Sequence, residues 1–130
     1  MDFKQLLSEL SEVMGAPLAP DEHGECLLEL TKGPQVHLSP EGGKVVIAMK
    51  IGTISPGPGR ANFFRAMLIA NGRPYPRFGD FSYGKTLDQV VLTEAIPMEE
   101  LNGEQLAGWI FSLVEQGEKW QEAIKAGRVP

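Results

Sequence analysis

His23, Cys26 and His37 are the residues whose types could build a metal site or a cysteine–histidine nucleophile pair. Either chemistry needs ligands at short, fixed intervals, and structural zinc sites draw on several cysteines or on paired cysteines and histidines. The chain has one cysteine, and the spacing of the three residues matches no such pattern. Alternation also separates them. Cys26, Leu28 and Leu30 fall on one face of an extended segment, whereas His37 faces away from Val36 and Leu38. Cys26 is therefore expected to behave as a small buried hydrophobe. Ser8, Ser11, Ser39, Ser55, Ser82 and Ser112 stand in no nucleophile motif. Asp21, Glu22 and Glu25 cluster at one turn, as a solvated loop does.

Two further groups have the right types for ligand binding. Gly57-Pro58-Gly59-Arg60-Ala61-Asn62 lies between a strand and a helix, where a phosphate-binding loop would lie. Its last position is Asn rather than Gly, no Gly-Lys-Ser/Thr follows, and its prolines remove amide donors. Arg60, Arg65, Arg73 and Arg77 lie near Tyr75, Phe78 and Phe81, a combination that can stack on single-stranded nucleic acid. Net charge opposes it. With 12 Lys and Arg against 17 Asp and Glu, the chain carries −5 and gains little from releasing counterions. Neither nucleic acid nor an anionic membrane surface is an expected partner, and neither metal nor cofactor is expected.

Other classes fall on composition. No apolar stretch approaches the roughly 18 residues that suggest a membrane span, so no membrane insertion is expected. The opening MDFKQLLSEL is acidic and amphipathic, unlike a secretory signal. One cysteine suits a reducing compartment, and the expected location is the cytoplasm. At 130 residues the chain fits a single domain over 1–130. Its 15 glycines and 10 prolines point to many turns.

The elements follow from periodicity. Phe3, Leu6, Leu7, Leu10, Val13 and Met14 form one helical stripe, with Asp2 and Gln5 in capping-box register and Gly15 and Pro17 as a stop. Segments around residues 26–30, 35–39 and 44–51 alternate and are separated by turns at Lys32-Gly33-Pro34 and 40–43, which predicts an antiparallel meander. A second helix is expected over 61–71. Strands over 78–83 and 87–94 would form a hairpin through a two-residue turn at Gly84-Lys85. The last helix starts at Asn102, with Gln105 in capping-box register and Leu101 stapled to Leu106, and Gly127 closes it. The fold class is α+β: helix, three-strand meander, helix, β-hairpin, helix, with helices packed on an antiparallel sheet.

Two features exceed what one core can hide. The third strand has Val45, Ile47, Met49 and Ile51 on one face yet Val46 and Ala48 on the other, where a solvated face would be polar. The second helix is apolar nearly all round, with Phe63, Phe64, Met67, Leu68 and Ile69. Such a helix must be buried on more than one side, and a second subunit is the natural cover. Surplus apolar surface without catalytic machinery suggests a protein that binds protein.

The chain resembles the class I type III secretion chaperones, the Tir-chaperone (CesT-like) family. The likeness runs through LLSELSEVMGAPLAPDEHGECLLEL, KVVIAMKIGTI, RAMLIAN, GKTLDQVVLTEAIP and MEELNGEQLAGWIFSLVEQGEKW, with Trp120 matching a tryptophan frequent in the family's last helix. SPGPG before the second helix and GRPYPRFG after it are less typical. The resemblance implies a bacterial cytosolic homodimer without enzymatic activity. It would hold the N-terminal segment of a type III secreted effector in extended form and present it to components of the secretion apparatus. It implies a dimer interface at Phe63, Phe64, Met67 and Leu68, with Phe81 adjoining, and effector contacts at Leu7, Val13, Leu27, Val46 and Ala48. Two other readings stand beside it. One is a small-ligand or phosphate-binding α+β domain using the 57–62 loop; the other is a regulator of the same fold that sequesters a secretion or transcription factor.

Overall fold

The computed structural model describes residues 2–30, 33–73, 79–84 and 88–130. Helix α1 (Phe3–Met14) is followed by strands β1 (Cys26–Glu29), β2 (Gln35–Glu41) and β3 (Lys44–Gly52). Helix α2 (Pro58–Asn71) precedes β4 (Asp80–Gly84) and β5 (Gln89–Pro97), and a 3-10 turn (Met98–Glu100) leads into α3 (Gly103–Ala126). The class is α+β, as expected.

Local chemistry explains the element ends. Asp2 and Gln5, and again Asn102 and Gln105, form complete capping boxes, and Gly15 and Gly127 close α1 and α3 in the left-handed conformation. Helix α2 starts at Pro58 rather than Ala61, because proline at a first helical position lacks only an amide that has no helical partner there. Glu41 pairs with Lys44 across Gly42-Gly43, whose φ angles of 56° and 79° give the tight turn that matches strand twist. The expected turn at Gly84-Lys85 is different. Gly84 is itself paired with Gln89, so the connection runs from residue 85 to 88; within it residues 85–87 lie outside the described set, as do Lys32 in the first turn and Phe78 before β4.

The five strands form one antiparallel sheet in the order β1-β2-β3-β5-β4. The first three make the expected meander; β5 then inserts between β3 and β4, leaving β1 and β4 as edges. The inner face carries Cys26, Leu28, Val36, Leu38, Val45, Ile47, Met49, Leu92 and Ile96, all buried in one core with Leu6, Leu10, Leu106, Ile110 and Leu113 of the helices. Helix α3 lies so close to β3 that a Cβ on Gly117 would stand 2.4 Å from Met49 Sδ. Phe81 of β4 meets Trp120 of α3 at 4.7 Å between ring centroids.

Candidate protein-binding surfaces

Period two sends alternate residues to the opposite face, and the strand register joins them into rows. Leu27, His37, Ala48 and Thr93 follow one another across β1, β2, β3 and β5, beside a second row of Ser39, Val46 and Ala95. Leu27 is 45% exposed, Ala95 is exposed, and His37, Val46, Ala48, Val91 and Thr93 are half-buried. Three of the expected effector contacts, Leu27, Val46 and Ala48, therefore share one solvent-side face. The sequence reading missed Val91, Thr93 and Ala95 there, although β5 alternates as plainly as β3.

The two contacts expected on α1 do not join them. Leu7 is 1% exposed and belongs to the core. Leu6, Leu7 and Leu10 are all covered, so the stripe is wide enough to be enclosed and Leu7 packs inside the protomer rather than on the solvent side of the sheet. Val13 is 46% exposed but lies in a separate hollow with Glu9, Glu12, Asn102, Gly103 and Glu104.

Helix α2 makes the second surface. Phe64, Met67, Leu68, Asn71, Phe81, Ser82 and Tyr83 line an apolar groove of about 260 Å³ between α2 and β4. Leu68 is 71% exposed at its lip, whereas Met67 and Phe81 are buried in the protomer's own core and form its floor. Phe63 is also buried in the protomer and is not among the side chains that line the groove. Its side of α2 faces inward because a helix lying beside a sheet must cover one stripe with the protomer itself.

The groove ends at a polar cluster. The Arg60 guanidinium donates to the Ile54 carbonyl at 2.8 Å, to the Tyr83 hydroxyl at 2.9 Å and to Asp88 Oδ1 at 2.8 Å. The Tyr83 hydroxyl donates to the same Asp88 oxygen. Arg60 also lies over the Phe64 and Tyr83 rings, 5.3 Å and 5.6 Å from their centroids, and those rings meet edge-on at 5.2 Å. The hydrogen bond from Tyr83, and then that from Arg60, hold the Asp88 carboxyl below the usual carboxylate range. The same bond to Asp88 raises the Tyr83 hydroxyl and, with the ionic attraction, the Arg60 guanidinium.

A group whose folded value is depressed contributes fully above its unfolded value, about 3.9 for Asp, and loses that contribution as pH falls through the folded value. The stability difference between wild type and Asp88→Asn is thus expected to be constant above about pH 5 and to close below about pH 4. Thermal melts of both proteins across that range check this; a difference that does not change with pH would contradict it.

Burial pushes the Cys26 thiol up, and the charge of Asp21 adds to the rise, which disfavours a reactive thiolate. Among the described residues, no three His, Cys, Asp or Glu side chains are placed to hold a metal ion. The 57–62 loop borders a hollow with Ile54, Phe63, Ile124 and Lys125, but its arginine is already committed to Asp88 and Tyr83. Tyr75, Arg77 and Phe78 of the imagined nucleic-acid platform lie outside the described residues. No described helix is long and apolar enough to cross a membrane.

Comparison with known proteins gives one consistent result. Residues 5–121 match the Tir chaperone protein (CesT) family. The chain is similar in structure to the Yersinia pestis type III secretion chaperone SycH, solved with a stable fragment of YscM2, at TM-score 0.72 and 22% identity over 92% of this chain and 99% of that one. It is similar to a chain of the HopA1–SchA chaperone–effector complex at TM-score 0.78 and 21% identity, covering 93% and 94%. A chain of the ExsC–ExsE complex gives TM-score 0.71 and 21% identity, covering 95% and 97%. Curated protein sequences gave no match.

Proposed function

The chain belongs to the Tir chaperone protein (CesT) family, and from that premise we propose that it is a dimeric, non-enzymatic bacterial chaperone of the cytoplasm. It binds the N-terminal chaperone-binding segment of a type III secreted effector, keeps that segment extended and competent for secretion, and delivers it to the secretion apparatus. The unit over 1–130 acts as one chaperone domain.

The observation that carries this reading is the strip of exposed and half-buried apolar side chains, interspersed with His37, Ser39 and Thr93, on the solvent side of the sheet. Leu27, Val46, Ala48 and Val91 stand where a sheet with one wet face would carry polar residues. Burying such a strip under an apolar peptide gains about 25 cal/mol per Å² removed from water. The sheet edges then favour an extended ligand on one side. The Leu30 amide donates to the Pro34 carbonyl at 3.0 Å, so antiparallel alternation turns the backbone of Leu28 toward β2 and that of Leu27 and Glu29 away from it. An incoming strand could pair there while its side chains reach the strip. The opposite edge is closed at Phe81, whose amide and carbonyl are both taken by the Asn71 side chain at 2.7 and 2.8 Å.

The groove between α2 and β4, with Leu68 at its lip, is the self-association face of this reading. The effector-binding strip has its own test. In co-expression with the N-terminal segment of a secreted protein encoded beside it, Leu27→Asp plus Val46→Asp is expected to reduce recovery of the complex by about ten-fold or more. The variant should remain folded, because Leu27 is exposed and Val46 is only half-buried. Undiminished recovery by a folded double variant would remove the strip from the binding surface.

A further inference from the structure

Helix α2 is thinly held by apolar packing. Of its fourteen residues only Phe63 and Met67 are buried. Phe64, Ala66 and Ala70 pack partly against the core as well, and polar contacts fasten the helix at its two ends. At the C-terminal end Asn71 exchanges two hydrogen bonds with the backbone of Phe81. At the N-terminal end Arg60 reaches three segments at once: the Ile54 carbonyl ahead of the helix, Tyr83 on β4, and Asp88 just before β5. Asp88 is fixed in turn. Its φ of 50° is a conformation that Asp tolerates better than most residues, and its carbonyl accepts a hydrogen bond from Thr53 Oγ1 at 2.9 Å.

Two rings set in place by this cluster, Phe64 and Tyr83, are walls of the α2–β4 groove. We infer that Arg60 and Asp88 are positioning residues for self-association: through Tyr83 and Phe64 they fix the shape of the groove that receives a second copy of this chain. The inference rests on the reading of that groove as the dimer face. Asp88 need not touch the second copy. Its carboxylate holds the Tyr83 hydroxyl and the Arg60 fork together, so the groove is formed before association and less ordering remains to be done on binding.

The test is a double-mutant cycle on the dimer dissociation constant, measured by sedimentation for wild type, Asp88→Asn, Tyr83→Phe and the double variant. Tyr83→Phe keeps the ring and removes only the hydroxyl. Each single change is expected to weaken the dimer by about ten-fold, and the double change by little more than either, since both break one hydrogen-bonded unit. Amide exchange should quicken in α2 and stay slow in α1 and α3. A dimeric wild type with unchanged affinity in Asp88→Asn, or with strictly additive effects, would overturn the positioning role and leave the dimer reading standing. A wild type that stays monomeric would overturn both.

Discussion

Gly103→Ala is expected to destabilise the protein by about 1–3 kcal/mol, lowering the melting midpoint by roughly 4–12 °C at about 4 °C per kcal/mol. Gly103 opens α3, and its amide donates to Glu9 Oε1 at 2.9 Å. A Cβ there would stand 2.6 Å from the backbone carbon of Glu9 and 2.7 Å from its oxygen. Backbone atoms have no rotamer to move to, so α1 and α3 must separate, and their separation loosens the core that Leu6, Leu10, Leu106 and Ile110 share. Gly108→Ala provides the internal comparison. Its Cβ meets nothing within 4 Å, and removing a glycine from a helix interior should stabilise by about 0.5–1 kcal/mol. Denaturant titration of both variants decides the matter. Equal responses at the two positions would mean that the helices do not approach as closely as described.

Leu68→Glu is expected to weaken self-association by about 100-fold or more while leaving the protomer folded. Leu68 is 71% exposed, so the protomer loses almost no packing when it changes; substitutions at such positions usually stay within about 0.5 kcal/mol. In the dimer the new carboxylate would enter an apolar groove lined by Phe64, Met67 and Tyr83 without a prepared partner. Met67→Glu is a poorer probe, because Met67 is buried within the protomer and its loss would mix unfolding with dissociation. Sedimentation over a range of concentrations should show wild type at twice 14.2 kDa and Leu68→Glu at the protomer mass, with matching helix content. A variant that remains dimeric would place the interface elsewhere.

Local signals carried most of the architecture. Asp2 with Gln5 and Asn102 with Gln105 announce their helices because a capping box needs only residues three apart. The meander and both faces of β3 follow from period two. The strand order does not, since β5 pairs with β3 across the whole intervening stretch of α2 and β4. Leu7 shows the same limit from another side. Helical periodicity marks a stripe, but how wide a stripe is enclosed depends on the second layer, here the close approach of α1 to α3. The Arg60–Asp88 pair, 28 positions apart, left no local trace. In the sequence Arg60 stood among other arginines beside a glycine-rich loop, and only tertiary placement shows its charge matched by a carboxylate. The surplus apolar character of β3 and α2 was legible throughout, because excess over what one core can cover is visible without knowing the fold.

The most direct measurement is the native mass of the complex formed when this chain is co-expressed with the N-terminal segment of a secreted protein encoded beside it. Two copies of the chain with one segment, the segment protected from protease only while bound, is the predicted result. A chain that purifies alone, with every such segment left unbound and cleaved, would contradict the account.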